Sequence, residues 1–75
     1  MNEEIIKMAA EALQISIEDA KKNYKTIPEI DAYYFWNPIR GGYAVIIDTR
    51  FERLIAGSSV SLETHKEAFR KGKRN

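Results

Sequence analysis

His65 is the single histidine of this chain, and hydroxyls crowd its neighbourhood: Ser58, Ser59, Ser61 and Thr64, with Glu63 and Glu67 alongside. Nucleophilic catalysis would need one hydroxyl held against the imidazole and a third group orienting the ring. No spacing in the segment fixes such a triad. Helical spacing instead puts His65 on one face with Leu62 and Phe69, which reads as a packed, hydrogen-bonded residue. Glu63 and Glu67 read as solvated helix residues rather than a catalytic carboxylate pair. There is no cysteine, so neither a disulfide framework nor a thiolate metal site is available. The inventory points to a protein that is not an enzyme, with no cofactor and no metal.

Binding is the chemistry the sequence does support. Tyr33-Tyr34-Phe35-Trp36 runs through Asn37-Pro38-Ile39-Arg40-Gly41-Gly42 into Tyr43-Ala44-Val45-Ile46-Ile47. Two β-rich runs separated by turn residues predict strand, loop, strand. Side chains alternate across a strand, so Tyr33 and Phe35 take one face and Tyr34 and Trp36 the other. Tyr43, Val45 and Ile47 oppose Ala44 and Ile46 in the same way. One layer of helices covers one face of such a sheet, which leaves an apolar face for a partner. The candidate partner-binding residues are Tyr34, Trp36 and Tyr43, joined by Arg40, whose guanidinium beside two glycines can grip a carboxylate or phosphate. The glycine spacing fits neither a phosphate loop nor a dinucleotide fingerprint.

Net charge is +1, but residues 1–31 carry seven acids against four lysines, and residues 32–75 four acids against eight lysines and arginines. Lys66, Arg70, Lys71, Lys73 and Arg74 form a basic end, which reads as cations placed at a helix C-terminus. Nucleic-acid binding is the alternative function, with the sheet aromatics stacking on bases and the basic tail holding phosphates. No apolar stretch approaches a membrane span, and Met-Asn-Glu-Glu does not open like a signal peptide; the expected location is cytoplasmic.

The elements that position these residues follow from caps and periodicity. Asn2 caps a first helix whose Ile5, Ile6, Ala9, Ala10 and Leu13 form an apolar stripe. Ser16, followed by Asp19, starts a shorter helix with Ile17, Ala20 and Tyr24 inward. A break is favoured at Gln14-Ile15, although those residues also fit one long helix. Pro28 ends the helical region and pushes Ile27 towards an extended conformation. Strands are expected at about 32–37, 43–48 and 53–57, with Leu54 and Ala56 opposing Ile55. Ser61 caps a last helix that stops at Gly72, and Lys73-Arg74-Asn75 is expected to fray. The whole is one domain, residues 1–75, of the α+β class. Its order is ααβββα, a three-stranded antiparallel meander of order 1-2-3 packed on one face by helices. A core of this size gains from burying a second apolar face, so a homodimer is the expected partnership.

The segment from Tyr33 to Lys73 resembles small bacterial immunity proteins of the YrhB type, from polymorphic toxin systems. The shared elements are the aromatic strand Tyr33-Tyr34-Phe35-Trp36, the apolar strand Val45-Ile46-Ile47-Asp48, and a third strand leading through Gly57-Ser58-Ser59 to a helix ending near Phe69. That resemblance implies a protein that binds and neutralises a toxin, with no catalytic residue to carry over. The element order is also similar to the αβββα of double-stranded-RNA-binding domains. Their glycine-and-lysine-rich helix start is replaced here by Ser59-Val60-Ser61-Leu62-Glu63.

Overall fold

Helix starts in this protein fall where a side-chain oxygen can accept an orphan backbone N–H. In the computed structural model, which describes residues 2–39, 42–57 and 59–75, Asn2 Oδ1 accepts from Glu4 N–H at 2.8 Å and opens α1 (Glu3–Leu13). Ser16 Oγ accepts from Asp19 N–H at 3.0 Å and opens α2 (Ile17–Lys22). Ser61 Oγ accepts from Thr64 N–H at 3.2 Å and opens α3 (Leu62–Arg70). Gln14, in the left-handed region at φ 56°, ends α1 and makes the break between the first two helices. Gly72, at φ 96°, follows the end of α3, where glycine avoids the steric cost of that conformation.

Four strands form one antiparallel meander, β1 (Tyr24–Ile27), β2 (Ala32–Trp36), β3 (Tyr43–Asp48) and β4 (Arg53–Gly57), in the order β1-β2-β3-β4. The α+β class and the sequential order of the last three strands match the sequence reading; the strand count does not. Tyr24 to Ile27, expected to finish a helix and lead to a proline, pair with Phe35 to Ala32 instead. The helix stops at Asn23, whose N–H and side-chain Nδ2 both donate to the Asp19 carbonyl. Beyond it, Tyr, Thr and Ile favour a pleated surface, and Pro28 bars Ile27 from the helical region. Pro28–Ile30 is a single 3-10 turn joining β1 to β2.

Helices on one face only was the second expectation to fail. Face one of the sheet carries Phe35, Val45 and Ile47, packed under Ile5, Ile6, Ala9, Ala10 and Leu13 of α1 and Ala20 of α2. Face two carries Ala32 and Ile46, packed with Ile27 and with Phe69 of α3, and flanked by Tyr34, Leu54 and Leu62. The helices that precede the sheet and the helix that follows it lie on opposite sides, so two layers cover the two apolar faces. Members of both alternating sets are therefore buried, Phe35, Val45 and Ile47 on one face and Ala32, Ala44 and Ile46 on the other. Ile17 and Tyr24, expected to point inward, sit at the rim. Ile17 is 44 % exposed, and Tyr24 rests its ring on Phe35 at 5.7 Å between centroids.

Both hairpins between the last three strands are closed by side chains. Asn37 Oδ1 accepts from Ile39 N–H at 2.8 Å, while its Nδ2 reaches the Leu13 carbonyl at 3.4 Å and ties the β2–β3 hairpin to the end of α1. A side chain at Gly42 would meet Asn37 Cβ at 2.6 Å, so the hairpin needs a glycine there. Between β3 and β4 the buried carboxylate of Asp48 accepts from Arg50 N–H at 3.0 Å and Glu52 N–H at 2.9 Å through Oδ1. Phe51 takes the left-handed position of that turn at φ 66°, where a bulky residue is strained. The tail is ordered by contacts rather than frayed: the Arg74 guanidinium lies 3.6 Å from the centre of the Phe69 ring, and Asn75 pairs with β4.

Two stability measurements check this packing. Leu13→Ala, at a buried position of α1, should cost about 2–5 kcal/mol in chemical denaturation. In a domain this small that removes most of the net stability. Phe51→Gly should move the other way, raising stability by up to about 1 kcal/mol as the left-handed strain is relieved against the entropy cost of glycine.

Candidate partner-binding surface

Tyr34 and Trp36 do lie together on face two, with ring centroids 5.9 Å apart and planes tilted by 33°. Alternation along β2 puts them there, and cross-strand pairing sets Tyr34 beside Ile46 and Trp36 beside Ala44. Tyr34 is not free, however. Its ring and that of His65 of α3 stand nearly perpendicular with centroids 5.8 Å apart, and burial pushes its phenol pKa upward. Trp36 is half-buried, next to a fully covered Ala44.

Tyr43 lies at the same end of the sheet but on the other face, 60 % exposed. Its carbonyl accepts from Asn37 N–H at 3.0 Å, which holds it at the mouth of the hairpin. Arg40 and Gly41 fall outside the described residues, as does Ser58. The four residues singled out from the sequence thus divide: Tyr34 and Trp36 touch, Tyr43 flanks them across the sheet, and Arg40 has no described place. The residue that sequence reasoning missed is Ile39, 70 % exposed at the hairpin tip. A hydrophobe between a proline and a basic residue in a turn was the available signal. Phe51, 45 % exposed in the opposite hairpin, had none, because its turn lacks the usual glycine.

His65 is buried to 1 % exposure, and its Nε2 lies 2.7 Å from the Leu54 carbonyl. A carbonyl only accepts, so Nε2 carries the proton and Nδ1 is the bare nitrogen. Nδ1 is buried and has no hydrogen-bond partner among the described residues. Burial lowers the pKa of the ring, and the hydrogen bond to Leu54 only partly opposes it. The hydrogen bond from the ring ties α3 to β4.

The basic end is largely spoken for. Arg70 pairs with Glu67 at 3.3 Å, and Arg74 with Glu52 at 2.9 Å. Lys66 of α3 reaches Glu29 of the 3-10 turn at 3.1 Å, and that hydrogen bond holds the lysine pKa up. Among the described residues, no group of three or more His, Cys, Asp or Glu side chains is placed to hold a metal ion, and no helix is long and apolar enough to cross a membrane. Compared with protein-family models, with curated proteins and with solved structures, the chain matches none.

The pH dependence of stability tests the assignment of His65. Its folded pKa lies below the unfolded value of 6.5, so above that pH neither state binds the proton and the contribution is complete. Below it the unfolded chain takes up a proton that the folded one refuses, and stability is lost as the pH falls towards the folded pKa. The limiting slope is about 1.4 kcal/mol per pH unit for one proton. His65→Gln, which keeps a donor for Leu54 but cannot titrate, should show a flatter profile just below pH 6.5 in denaturant titrations. Parallel profiles for the two proteins would mean that His65 titrates normally in the fold.

Proposed function

We propose that this protein is a cytoplasmic, non-enzymatic protein-binding module, and that it binds through the end of the sheet formed by the β2–β3 hairpin. The observation that carries the reading is the set of apolar side chains presented there: Trp36 half-buried on face two, Tyr43 exposed on face one and Ile39 exposed at the tip. Large aromatic and aliphatic groups at one projecting end are the raw material of an interface anchor. The contact surface is thereby moved from the middle of face two, which α3 occupies, to its margin. Neutralisation of a toxin by direct contact, the role implied by the resemblance to immunity proteins, is the most specific form of this proposal. The pairing of Arg70 and Arg74 with carboxylates of their own chain favours a protein partner over nucleic acid.

A second copy is the partner that solution measurements read directly. In sedimentation velocity at micromolar concentration the wild type should show a concentration-dependent dimer. The double variant Ile39→Ser/Tyr43→Ser, altered only at exposed positions, should be monomeric with an unchanged melt. A wild type that stays monomeric throughout would remove the second copy as partner. A dimer indifferent to both substitutions would place the contact elsewhere.

A further inference from the structure

The two edges of the sheet are finished differently. Along β4 the side-chain amide of Asn75 takes the place of a neighbouring strand. Its Oδ1 accepts from Ile55 N–H at 2.7 Å, its Nδ2 donates to the Ile55 carbonyl at 3.1 Å, and its backbone N–H donates to the Arg53 carbonyl at 3.2 Å. Along β1 no comparable cover exists among the described residues. The Asn23 carbonyl accepts from Trp36 N–H at 3.2 Å. With Lys25 opposite Tyr34 and Ile27 opposite Ala32, the alternation of an antiparallel ladder then turns the N–H and C=O of Tyr24 and Thr26 outward. The side chains of Tyr24, Lys25 and Thr26 are all exposed.

We propose that the β1 edge takes an extended acidic peptide as a fifth strand. This surface is separate from the hairpin end. A second copy of β1 is the competing occupant, and register argues against it. Antiparallel pairing that uses the outward groups of Tyr24 and Thr26 joins each Tyr24 to the other copy's Thr26. It then sets the two Lys25 side chains directly opposite, in the pair whose Cα atoms approach to about 4.5 Å. Like charges so placed destabilise the pairing. Sliding two residues one way brings in Lys22, the last residue of α2; sliding the other way brings in Pro28, which has no N–H to offer.

The charge that repels a copy selects for acid. Lys21, Lys22 and Lys25 are exposed and, among the described residues, none is in an ion pair. The carboxylates nearby along the chain are Glu18 and Asp19 in the first turn of α2, Glu29, which Lys66 holds, and Asp31 beyond the 3-10 turn. Lys25 shares face two with Tyr34, while Tyr24 and Thr26 share face one with Phe35 and Tyr33. A strand laid along this edge would therefore present an acid beside Lys25 and β-branched residues beside Tyr24 and Thr26.

The probe is a short synthetic peptide alternating glutamate and valine, titrated into isotope-labelled protein and followed by amide chemical shifts. Shifts should cluster on residues 24–26, and the amides of Tyr24 and Thr26 should gain protection from hydrogen exchange. A peptide with lysine in place of glutamate should bind at least about tenfold more weakly, the sum of three modest ion pairs. Thr26→Pro removes an outward N–H without touching the ladder to β2, and should abolish binding while the protein melts as wild type. Lys22→Glu/Lys25→Glu, which leaves the backbone alone, should reverse the preference between the two peptides. Ile39→Ser/Tyr43→Ser should bind the acidic peptide unchanged, which separates this edge from the hairpin end. Equal affinity for both peptides, shifts centred elsewhere, or no binding of the acidic peptide at millimolar concentration would each overturn the proposal.

Discussion

Strand β3 has to be kept from water on both of its sides. Val45, Ile46 and Ile47 are consecutive and all fully buried, yet they point alternately to opposite faces. A strand of that composition cannot sit in a two-layer protein without leaving one side wet, because alternation admits no sequence-neutral way to hide three adjacent hydrophobes. The three-layer arrangement follows from this one requirement. Face one is roofed by α1 and α2, face two by α3, and β2 and β4 flank β3 on either edge. The pieces that look incidental serve the same end: Asn37 anchors the hairpin to α1, His65 anchors α3 to β4, and Asp48 closes the turn that lets β4 return.

Much of the local structure is legible in the residues. Asn2, Ser16 and Ser61 each stand one place before a helix, and each accepts the backbone N–H that its side chain can reach. The alternation of β2 and β3 assigns every side chain to its observed face. What escaped was set by partners elsewhere in the chain rather than by the local pattern. Tyr24 to Ile27 are too few to show a period, and their strand character depends on pairing with β2. The side on which α3 docks is seen only in the contacts of Leu62, His65 and Phe69 with the sheet, which no local pattern announces. The candidate site was read only in part for the same reason. Alternation put Tyr34 and Trp36 together, but whether that face stayed open depended on α3, which covers the first and spares the rim of the second.

Polar atoms inside the molecule are few and unevenly served. Asp48 has both oxygens occupied, by two backbone donors and by Arg50. His65 has one nitrogen occupied and the other without a partner among the described residues. The first is a closed account of donors and acceptors; the second trades an unmet nitrogen for a tie between helix and sheet. That trade is tolerable because a neutral imidazole loses less on burial than an unpaired charge would.

The two faces of the meander also depend on different helices. Every residue that builds face one, from Ile5 to Ile55, precedes α3, so that half of the molecule needs nothing from the last helix, although laying α1 on β3 is a non-local contact and slower to form than the hairpins. Face two closes only with Leu62 to Phe69, which pack across Ile46. Whenever α3 is detached, Tyr34, Ile46 and Leu54 face the solvent, so the last helix is what keeps that half of the sheet from meeting other chains.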